Sequence, residues 1–316
     1  MTISVCMSTY NGEKYIEEQL YSILHQSCRP DEVIICDDAS VDHTAEIVRK
    51  FILDNHLEKA WKLYENTENR GYPANFYHAM SLCSGDLVFL SDQDDIWHEK
   101  KLEHMSSVLD KHTDAKALCC KFGLIDAIGN DIHSVMAPGH THSTGELRRI
   151  TVDDVFYKCE WPGMVIAYRN EWYHAQVEKQ TAPITEKIPH DLLLCARAAE
   201  EQGFFQIDEE LAYHRRHESN AGGEEHRIGK LLNKGRKQIE IQNYLDYLNA
   251  FSEGQVLQTE AGKTALFRKK QVMEERFKAL NSGKIVSVIQ WAWKNRKEVR
   301  FATTVCDILI VKQRST

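Results

Sequence analysis

The segment Asp86–Trp97 constrains the fold more than any other, because an apolar, β-rich run leads directly into three carboxylates. Residues 87–90 read Leu-Val-Phe-Leu, which is typical of a buried strand in an α/β sheet. Asp92, Asp94 and Asp95 follow at once. Carboxylates this close repel each other, so the arrangement requires a cation or a set of hydrogen-bond donors. Ligands of open α/β sheets bind at this edge, beyond the carboxyl ends of the strands.

Two interpretations fit these aspartates. Asp92 and Asp94 are two positions apart, so their side chains point the same way in extended chain. Carboxylates acting together with substrate phosphates are typical ligands of Mg²⁺ or Mn²⁺. The alternative is an acidic turn that caps a helix from His98 onward, with Asp95 as the N-cap. The spacing alone leaves both interpretations open.

The residues before this segment alternate between strand-like and helix-like patterns. Strands are predicted at residues 2–8, 32–36 and 61–64, with helical patterns between them and at 74–82. This order predicts a parallel sheet with right-handed crossovers. Asp37 and Asp38 follow the second strand, where a carboxylate can accept hydrogen bonds from a ribose or a base. The alternative is that one of them caps the next helix.

Glycine-rich phosphate loops are absent from the sequence. It contains neither Gly-x-x-x-x-Gly-Lys-[Ser/Thr] nor Gly-x-Gly-x-x-Gly. A nucleotide would therefore be held through a metal and side chains. Residues 131–149 carry His133, His140 and His142 among few apolar residues. They predict a surface loop, with a three-histidine metal site as the alternative.

Charge is unevenly distributed along the chain. Residues 226–316 carry 18 Lys and Arg against 8 Asp and Glu, whereas residues 1–225 carry 21 against 39. From Ile228 the pattern is helical, and residues 285–311 mix Trp291, Trp293 and Phe301 with basic residues. This mixture suits an anionic membrane surface. Helices that pack back onto the rest of the protein are the alternative.

Nine scattered cysteines without paired spacing indicate reduced thiols in a cytoplasmic protein. No uninterrupted apolar run reaches the length of a membrane span. We therefore expect a cytoplasmic protein, with peripheral contact at the inner face of the plasma membrane as a further expectation.

Four ordered motifs carry a resemblance to a known family. They are Ser8-Thr9-Tyr10-Asn11, the segment from Asp37 to Thr44, the segment from Asn69 to Phe76, and Ser91 to Trp97. Together they resemble the inverting family 2 glycosyltransferases of the GT-A fold, and Asp-Gln-Asp-Asp-Ile-Trp resembles the bacterial rhamnosyltransferase-like branch. The match covers roughly residues 1–220. It implies an α/β fold, with a Rossmann-like, mainly parallel sheet flanked by helices in residues 1–225 and an α-helical, basic extension in residues 226–316.

The resemblance also implies roles for individual residues. Asp92 and Asp94 would hold Mn²⁺ or Mg²⁺ on the donor diphosphate, and Arg215 or Arg216 would pair with its phosphate oxygens. His217 would be a further metal ligand or would stabilise the leaving diphosphate. The alternative for the segment around Arg215 and His217 is an exposed basic turn paired with glutamates. The residues expected to line the nucleotide-sugar pocket are Thr9, Tyr10, Asp37, Asp38, Asn69, Gly71 and Asn75.

The general base is expected at His190-Asp191, which opens an apolar helix over residues 192–199. The family usually has a Glu-Asp pair at this position, and its Asp is the base. Here the Glu is absent, so Asp191 is the candidate, while His190 remains an alternative base. An ordinary helix cap is the structural alternative for Asp191.

The implied reaction moves a sugar, with inversion, from a UDP- or dTDP-sugar to a hydroxyl of a glycan or lipid-linked glycan. The expected setting is cell-surface polysaccharide synthesis, without a nucleic-acid partner. A metal-dependent nucleotidyltransferase is one alternative, although no Arg precedes Lys14 after the first strand. A non-catalytic, nucleotide-binding homologue is the other, and the intact Asp92-x-Asp94 pair argues against it.

Overall fold

The computed structural model describes residues 1–132, 146–158, 161–177, 187–217 and 233–312. The chain divides into two compact units. The first comprises residues 1–151 and 160–216, and the second comprises residues 152–159 and 217–316. The predicted boundary after residue 225 falls outside the described residues, so the division into domains at that point stays a prediction. The histidines at 133, 140 and 142 also lie outside them.

The first unit is built on one mixed sheet. Its strands in the described residues are β1 Ile3–Thr9, β2 Glu32–Asp37, β3 Trp61–Glu65, β4 Leu87–Ser91, β5 Ile96–Trp97, β6 Ala117–Ile125, β7 Leu147–Arg149, β8 Ile166–Arg169 and β9 Phe204–Arg215. They lie in the order β3-β2-β1-β4-β8-β6-β9-β5, and β7 pairs with β9. The pairs β3-β2, β2-β1, β1-β4 and β6-β9 are parallel. The strand β8 is antiparallel to both of its neighbours.

Helices flank this sheet. In the first unit they are α1 Ile16–Leu24, α2 Thr44–Asp54, α3 Tyr72–Leu82, α4 Lys101–Lys111, α6 Asn170–Val177 and α7 His190–Glu200, together with a 3₁₀ turn at Gly163–Val165. The helix α5 Val152–Lys158 belongs to the second unit. In α1 the buried residues Ile16, Leu20 and Ile23 recur every three to four positions, which gives the helix one apolar face. The strands β1 and β4 are apolar and buried along almost their whole length, as expected for strands covered on both faces. The predicted βαβα order and α/β class are confirmed.

Three local expectations are wrong. The helix α4 begins at Lys101, and the strand β5 lies between it and Asp95, so Asp95 is not its N-cap. The helix α2 begins at Thr44, whose backbone N–H is bound by Asp42, so neither Asp37 nor Asp38 caps it. Part of the expected loop at 131–149 is a strand, because β7 pairs with β9.

The second unit is helical in its described residues. To α5 it adds α8 Lys234–Glu253, α9 Glu260–Asn281, α10 Ile285–Lys294 and α11 Phe301–Lys312. Trp291 is buried and donates its indole N–H to the carbonyl of Val272 (3.0 Å). Arg276 donates two hydrogen bonds, of 2.8 and 2.9 Å, to the carboxylate of the buried Asp307. No helix within the described residues is both long and apolar enough to cross a membrane.

A close approach at Gly85 generates the first prediction. A Cβ built at Gly85 would lie 2.8 Å from the backbone nitrogen of Ser4, closer than real Cβ contacts allow. Gly85→Ala must therefore push β1 away from the turn before β4, and we expect a loss of about 1–3 kcal/mol in the free energy of unfolding. Urea unfolding followed by tryptophan fluorescence measures this. Ser81→Ala, on the exposed side of α3, is the control and should change stability by less than about 0.5 kcal/mol. Equal stability of the two variants would contradict the packing described here.

Candidate active site

The candidate site lies where β1, β2 and β4 end. These strands are parallel neighbours, so their carboxyl ends meet at one edge of the sheet. Thr9, Asp37 and Ser91 are the last residues of the three strands. The polar loops that follow them therefore converge, as the sequence predicted.

Asp37 braces the first two of these loops. Its carboxylate is buried and accepts hydrogen bonds from the Thr9 hydroxyl (2.8 Å) and from the backbone N–H and hydroxyl of Ser40 (2.9 and 2.6 Å). Because three donors already surround it, Asp37 has a structural task at this edge. Binding of a nucleotide by Thr9 or Asp37 stays a prediction.

Asp38 ties the loop before α3 to the end of β2. Its carboxylate is 2% exposed and accepts hydrogen bonds from the Asn66 side chain (2.8 Å) and from the backbone N–H groups of Arg70 and Gly71 (2.9 Å each). Asn69 reinforces the same turn, since its amide donates to the Asp38 carbonyl (3.2 Å). Gly71 has φ +83°, a conformation that L-residues with side chains rarely adopt. Asp38 and Asn69 therefore shape this loop, and direct contact with a ligand stays a prediction for both.

Asn75 is fully buried behind these loops. Its amide donates to the Ser8 hydroxyl (2.7 Å) and to the Cys36 carbonyl (2.8 Å), and its oxygen accepts from Asn66 (2.9 Å). It thereby joins α3 to the ends of β1 and β2. Its expected contact with a nucleotide-sugar stays a prediction.

Tyr10 is held by a residue from the aspartate motif itself. The Gln93 side chain accepts from the Tyr10 N–H and donates to the Tyr10 carbonyl, both at 2.9 Å. A Cβ at Gly12 would lie 2.3 Å from the Gln93 oxygen, so glycine makes room for this pairing. The Tyr10 side chain is 46% exposed. Gln93, which the sequence reasoning missed, fixes the loop after β1 to the loop after β4 and leaves the Tyr10 ring accessible.

The three aspartates after β4 form an electrostatically strained cluster. Burial, followed by the negative charges of Asp95 and Asp94, raises the pKa of Asp92 well above its usual range. Burial also raises the pKa of Asp95, although a hydrogen bond and a charge interaction from His214 oppose the rise. One Asp95 oxygen accepts from His214 (3.0 Å) and from the Arg215 N–H (3.1 Å), while the other has no hydrogen-bond partner among the described residues.

A divalent cation suits this cluster electrostatically, because it would favour the charged forms of Asp92 and Asp94. Within the described ranges no group of three or more His, Cys, Asp or Glu side chains is arranged to hold a metal ion. A hard cation held by one or two carboxylates completes its coordination with water and phosphate oxygens. The Asp92–Asp94 pair fits that kind of site.

A buried lysine compensates part of the negative charge. Lys101 is fully buried, donates to the Met164 carbonyl and lies 3.5 Å from the centre of the Trp97 ring. Burial lowers its pKa to about 8, against the charges of Cys120, Asp95 and Asp92, which raise it. Nothing in the sequence indicates this role, since the residues next to Lys101 on its helix are also charged.

Arg215 also faces inward. Its guanidinium donates to the Asp94 carbonyl (2.9 Å) and to Glu18, and it lies 5.0 Å from the centre of the Tyr15 ring. Arg215 is 1% exposed, so it braces the backbone of the aspartate loop. Its pairing with a diphosphate stays a prediction. His217 is the first residue of the second unit after β9, and its metal-binding role likewise stays a prediction.

Asp191 and His190 open the helix α7 and differ in their surroundings. Asp191 is partly exposed, accepts from the Leu192 N–H (2.7 Å), and burial raises its pKa to about 6. Its negative charge raises the pKa of Asp92, so the two carboxylates lie within electrostatic range of each other. His190 is buried against Phe76, with the ring centres 3.8 Å apart, and burial lowers its pKa to about 3. Asp191 is therefore the stronger base of the two and the one open to solvent.

Comparison with known proteins agrees with this geometry. Residues 4–157 match the sequence model of the family described as "Glycosyl transferase family 2". The chain carries a domain of this glycosyltransferase family. The resemblance seen in the sequence is thereby confirmed at the level of the family, whereas the rhamnosyltransferase-like branch stays a prediction.

Curated relatives and a solved structure are similar to this chain. It is 28% identical to the dTDP-rhamnosyl transferase RfbG of Shigella flexneri over 173 residues, which cover 52% of this chain and 54% of RfbG. It is 35% identical to the poly(ribitol-phosphate) beta-N-acetylglucosaminyltransferase TarS of Staphylococcus aureus over 114 residues, which cover 35% of this chain and 19% of TarS. The match thus spans about half of RfbG and a fifth of TarS.

The fold comparison extends over more of the chain. The crystal structure of S. aureus TarS 1–349 in complex with UDP superposes with a TM-score of 0.54 at 19% identity, covering 88% of this chain and 91% of that one. The predicted GT-A type of fold is confirmed by this similarity.

The tethering role of Asp38 generates the second prediction. Asp38→Asn replaces one acceptor oxygen by an NH₂ group, so one of the donors at Asn66, Arg70 or Gly71 loses its partner. A buried, unpaired polar group costs about 1–3 kcal/mol, and urea unfolding should show a stability loss of that size. Asp54→Asn, on an exposed residue at the end of α2, is the matched control and should leave stability unchanged. Unchanged stability in Asp38→Asn, together with lost nucleotide affinity, would instead assign Asp38 to ligand contact.

Proposed function

We propose that this chain is an inverting glycosyltransferase that moves a sugar from a nucleoside diphosphate donor to a hydroxyl group. The observation that carries the proposal is that the Asp92–Asp94 pair and Asp191 lie within electrostatic range of each other in different environments. Burial and neighbouring negative charges raise the pKa of Asp92 well above its usual range, whereas burial raises the pKa of Asp191, at the start of a helix, to about 6. The family membership of residues 4–157 supports the reaction class.

In this proposal Asp92 and Asp94 would hold Mg²⁺ or Mn²⁺ against the donor diphosphate. When bound, such a cation neutralises charge that develops on the leaving diphosphate. The mannosyltransferase PcManGT from Pyrobaculum calidifontis has been solved with GDP-Man and Mn²⁺, and it superposes on this chain with a TM-score of 0.52 at 18% identity. This similarity shows the fold alone. Metal binding by Asp92 and Asp94 is therefore part of the proposal.

Asp191 would remove the proton of the acceptor hydroxyl. Inversion is a single displacement, so the acceptor oxygen attacks opposite the diphosphate and must lose its proton in that step. A general base works best when its pKa lies near the working pH, and the burial of Asp191 moves its pKa in that direction. His190, with a pKa of about 3, is a much weaker base.

The donor is proposed to be a UDP- or dTDP-sugar and the acceptor a glycan or lipid-linked glycan. The similarity to the dTDP-rhamnosyl transferase RfbG supports a dTDP-sugar, and the TarS complex with UDP supports a uridine nucleotide. A lipid-linked acceptor would place the enzyme at a membrane surface as a peripheral protein. Release of free nucleoside diphosphate from a panel of UDP-, dTDP- and GDP-sugars, with and without Mn²⁺, tests the proposal. Release of pyrophosphate instead would favour a nucleotidyltransferase.

The metal assignment generates the third prediction. Asp94→Asn removes a charged ligand, while the backbone carbonyl of residue 94 still accepts the hydrogen bond from Arg215. We expect Mn²⁺-dependent binding of the nucleoside diphosphate to be lost, with stability equal to or above that of the wild type because a repulsive charge is removed. Isothermal titration with Mn²⁺ and with EDTA measures the affinity. Asp110→Asn, on the exposed side of α4, is the matched control. Unchanged Mn²⁺-dependent affinity in Asp94→Asn would contradict the assignment.

The base assignment generates the fourth prediction. The carboxylate is the active form, so the transfer rate should be full above the pKa of Asp191 and fall about tenfold per pH unit below it. Since a cation at Asp92 would lower this pKa by attraction, the fall should begin at or below about pH 6.

Asp191→Asn should reduce transfer by about 10²–10⁴-fold and remove this acid limb, while donor affinity stays near that of the wild type. The product anomer, determined by NMR, should be inverted in the wild type. If His190→Gln abolishes transfer while Asp191→Asn retains it, His190 is the base. A retained configuration would overturn the single-displacement mechanism.

A further inference from the structure

The helix α10 has two apolar faces, of which one is packed and the other is exposed. Val288 and Trp291 are buried against the second unit. On the opposite side, Val286, Ile289 and Trp293 are 63%, 50% and 72% exposed. Their spacing of three and four residues places them in a single stripe along the helix. The packing of the unit therefore covers one apolar face of α10 and leaves the other exposed.

The helix α11, which contacts α10, repeats this arrangement. Ile310 and Val311 are buried, whereas Phe301, Val305 and Leu309 are 83%, 37% and 41% exposed and recur every four residues. We call the six exposed residues of both helices the apolar face: Val286, Ile289, Trp293, Phe301, Val305 and Leu309. Single exposed apolar residues are ordinary on a protein surface, but two exposed apolar stripes on contacting helices are typical of an interaction site.

Basic residues accompany the apolar face. Residues 284–312 contain six Lys and Arg against two Asp and Glu. One of the two acids, Asp307, is buried and paired with Arg276, so its charge is compensated inside the unit. Arg296 lies 5.3 Å from the centre of the Trp293 ring, so positive charge reaches the stripe itself. Lys294 is paired with Glu275 of α9 (2.6 Å), and the remaining charge of residues 284–312 is still positive.

We propose that the apolar face is a docking surface for an anionic lipid bilayer. Exposed aromatic and aliphatic residues on a helix enter the boundary between headgroups and acyl chains, while Lys and Arg meet the anionic headgroups. A second copy of this chain is a poorer occupant, because two surfaces rimmed by the same positive charge repel each other. The proposal sharpens the peripheral membrane contact of the proposed function and rests on it for its setting.

The experiment measures sedimentation of the full chain with vesicles, without donor or acceptor, so its result is independent of glycosyl transfer. Vesicles of phosphatidylcholine alone are compared with vesicles containing 30% phosphatidylglycerol, a composition chosen to supply about a third of anionic lipid. We expect binding to the anionic vesicles at low salt and a steep loss as salt is raised. Neutral vesicles should bind far less.

Two pairs of variants test the two components of the surface. Lys284→Gln with Lys297→Gln should lower the partition coefficient about thirtyfold, since each basic residue near such a surface contributes ~1 kcal/mol. The control pair Lys50→Gln with Lys59→Gln makes the same charge change on exposed residues of the first unit.

Trp293→Ser should lower binding at least about tenfold by removing an interfacial aromatic anchor. Its control, Phe267→Ser, changes an aromatic residue of α9 that is 70% exposed but lies outside the apolar face.

Three outcomes would overturn the proposal. They are absence of binding to anionic vesicles at low salt, binding that is indifferent to salt, and equal effects of a variant and its control. Sedimentation velocity without lipid is run in parallel. A dimer that Trp293→Ser dissociates would show that the apolar face is covered by a second copy, and would replace the bilayer as its partner. Failure of donor turnover with intact vesicle binding would instead overturn the proposed function alone.

Discussion

The negative charge gathered at the end of β4 is the constraint on which the rest of the first unit depends. Asp92, Asp94 and Asp95 cannot all stay ionised at a half-buried strand end without compensation. The structure supplies it through the His214 side chain and the backbone N–H of Arg215, which arrive on β9, and through the charge of Lys101, which arrives on α4. The long strand β9 and the start of α4 thus bring hydrogen-bond donors and positive charge to the cluster. The remaining imbalance makes the edge suitable for a cation and an anionic ligand together.

The polar residues around this cluster divide into two kinds. Asp37, Asp38 and Asn75 use their side-chain atoms to hold the three loops against one another. Tyr10, Asp92 and Asp191 retain accessible side chains. A ligand entering at this edge would therefore meet a surface whose shape is fixed by the first kind and whose chemistry is provided by the second. Such preorganisation is what positions reacting groups before a ligand arrives.

The sequence predicted the parts of this arrangement that depend on local pattern. Apolar runs followed by aspartates identify strand ends, and the alternation of strands with helices brings those ends to one edge. The sequence could not predict which polar side chains would meet one another across the edge. Asp38 looks like a helix cap because such caps are local, but its actual donors at Asn66, Arg70 and Gly71 lie about 30 residues away. The role of Lys101 could not be predicted for the same reason, because the groups that it contacts are distant in the sequence.

Local pattern also fails where one helix carries apolar residues on two sides. The periodicity of α10 indicates a helix, but it gives no rule for deciding whether Trp291 or Trp293 is buried. The structure resolves the choice through the bond from the Trp291 indole to the Val272 carbonyl. The neighbouring Trp293 is left outside, beneath Arg296. The order of aromatic and basic residues suggested a membrane surface in the sequence, and the packing of Trp291 indicates which side of the helix is available for one.

The histidine that precedes Asp191 has a physical explanation in the packing around α7. His190 stacks on Phe76, and a Cβ at Gly163 would lie 2.8 Å from its Nε2 atom. A glutamate in this apolar slot would bury a second negative charge without a partner, which is costly and would raise the pKa of Asp191 further. Histidine, whose pKa burial lowers to about 3, stays neutral there. With histidine at position 190, Asp191 does not share the start of α7 with a second carboxylate, and burial raises its pKa to about 6.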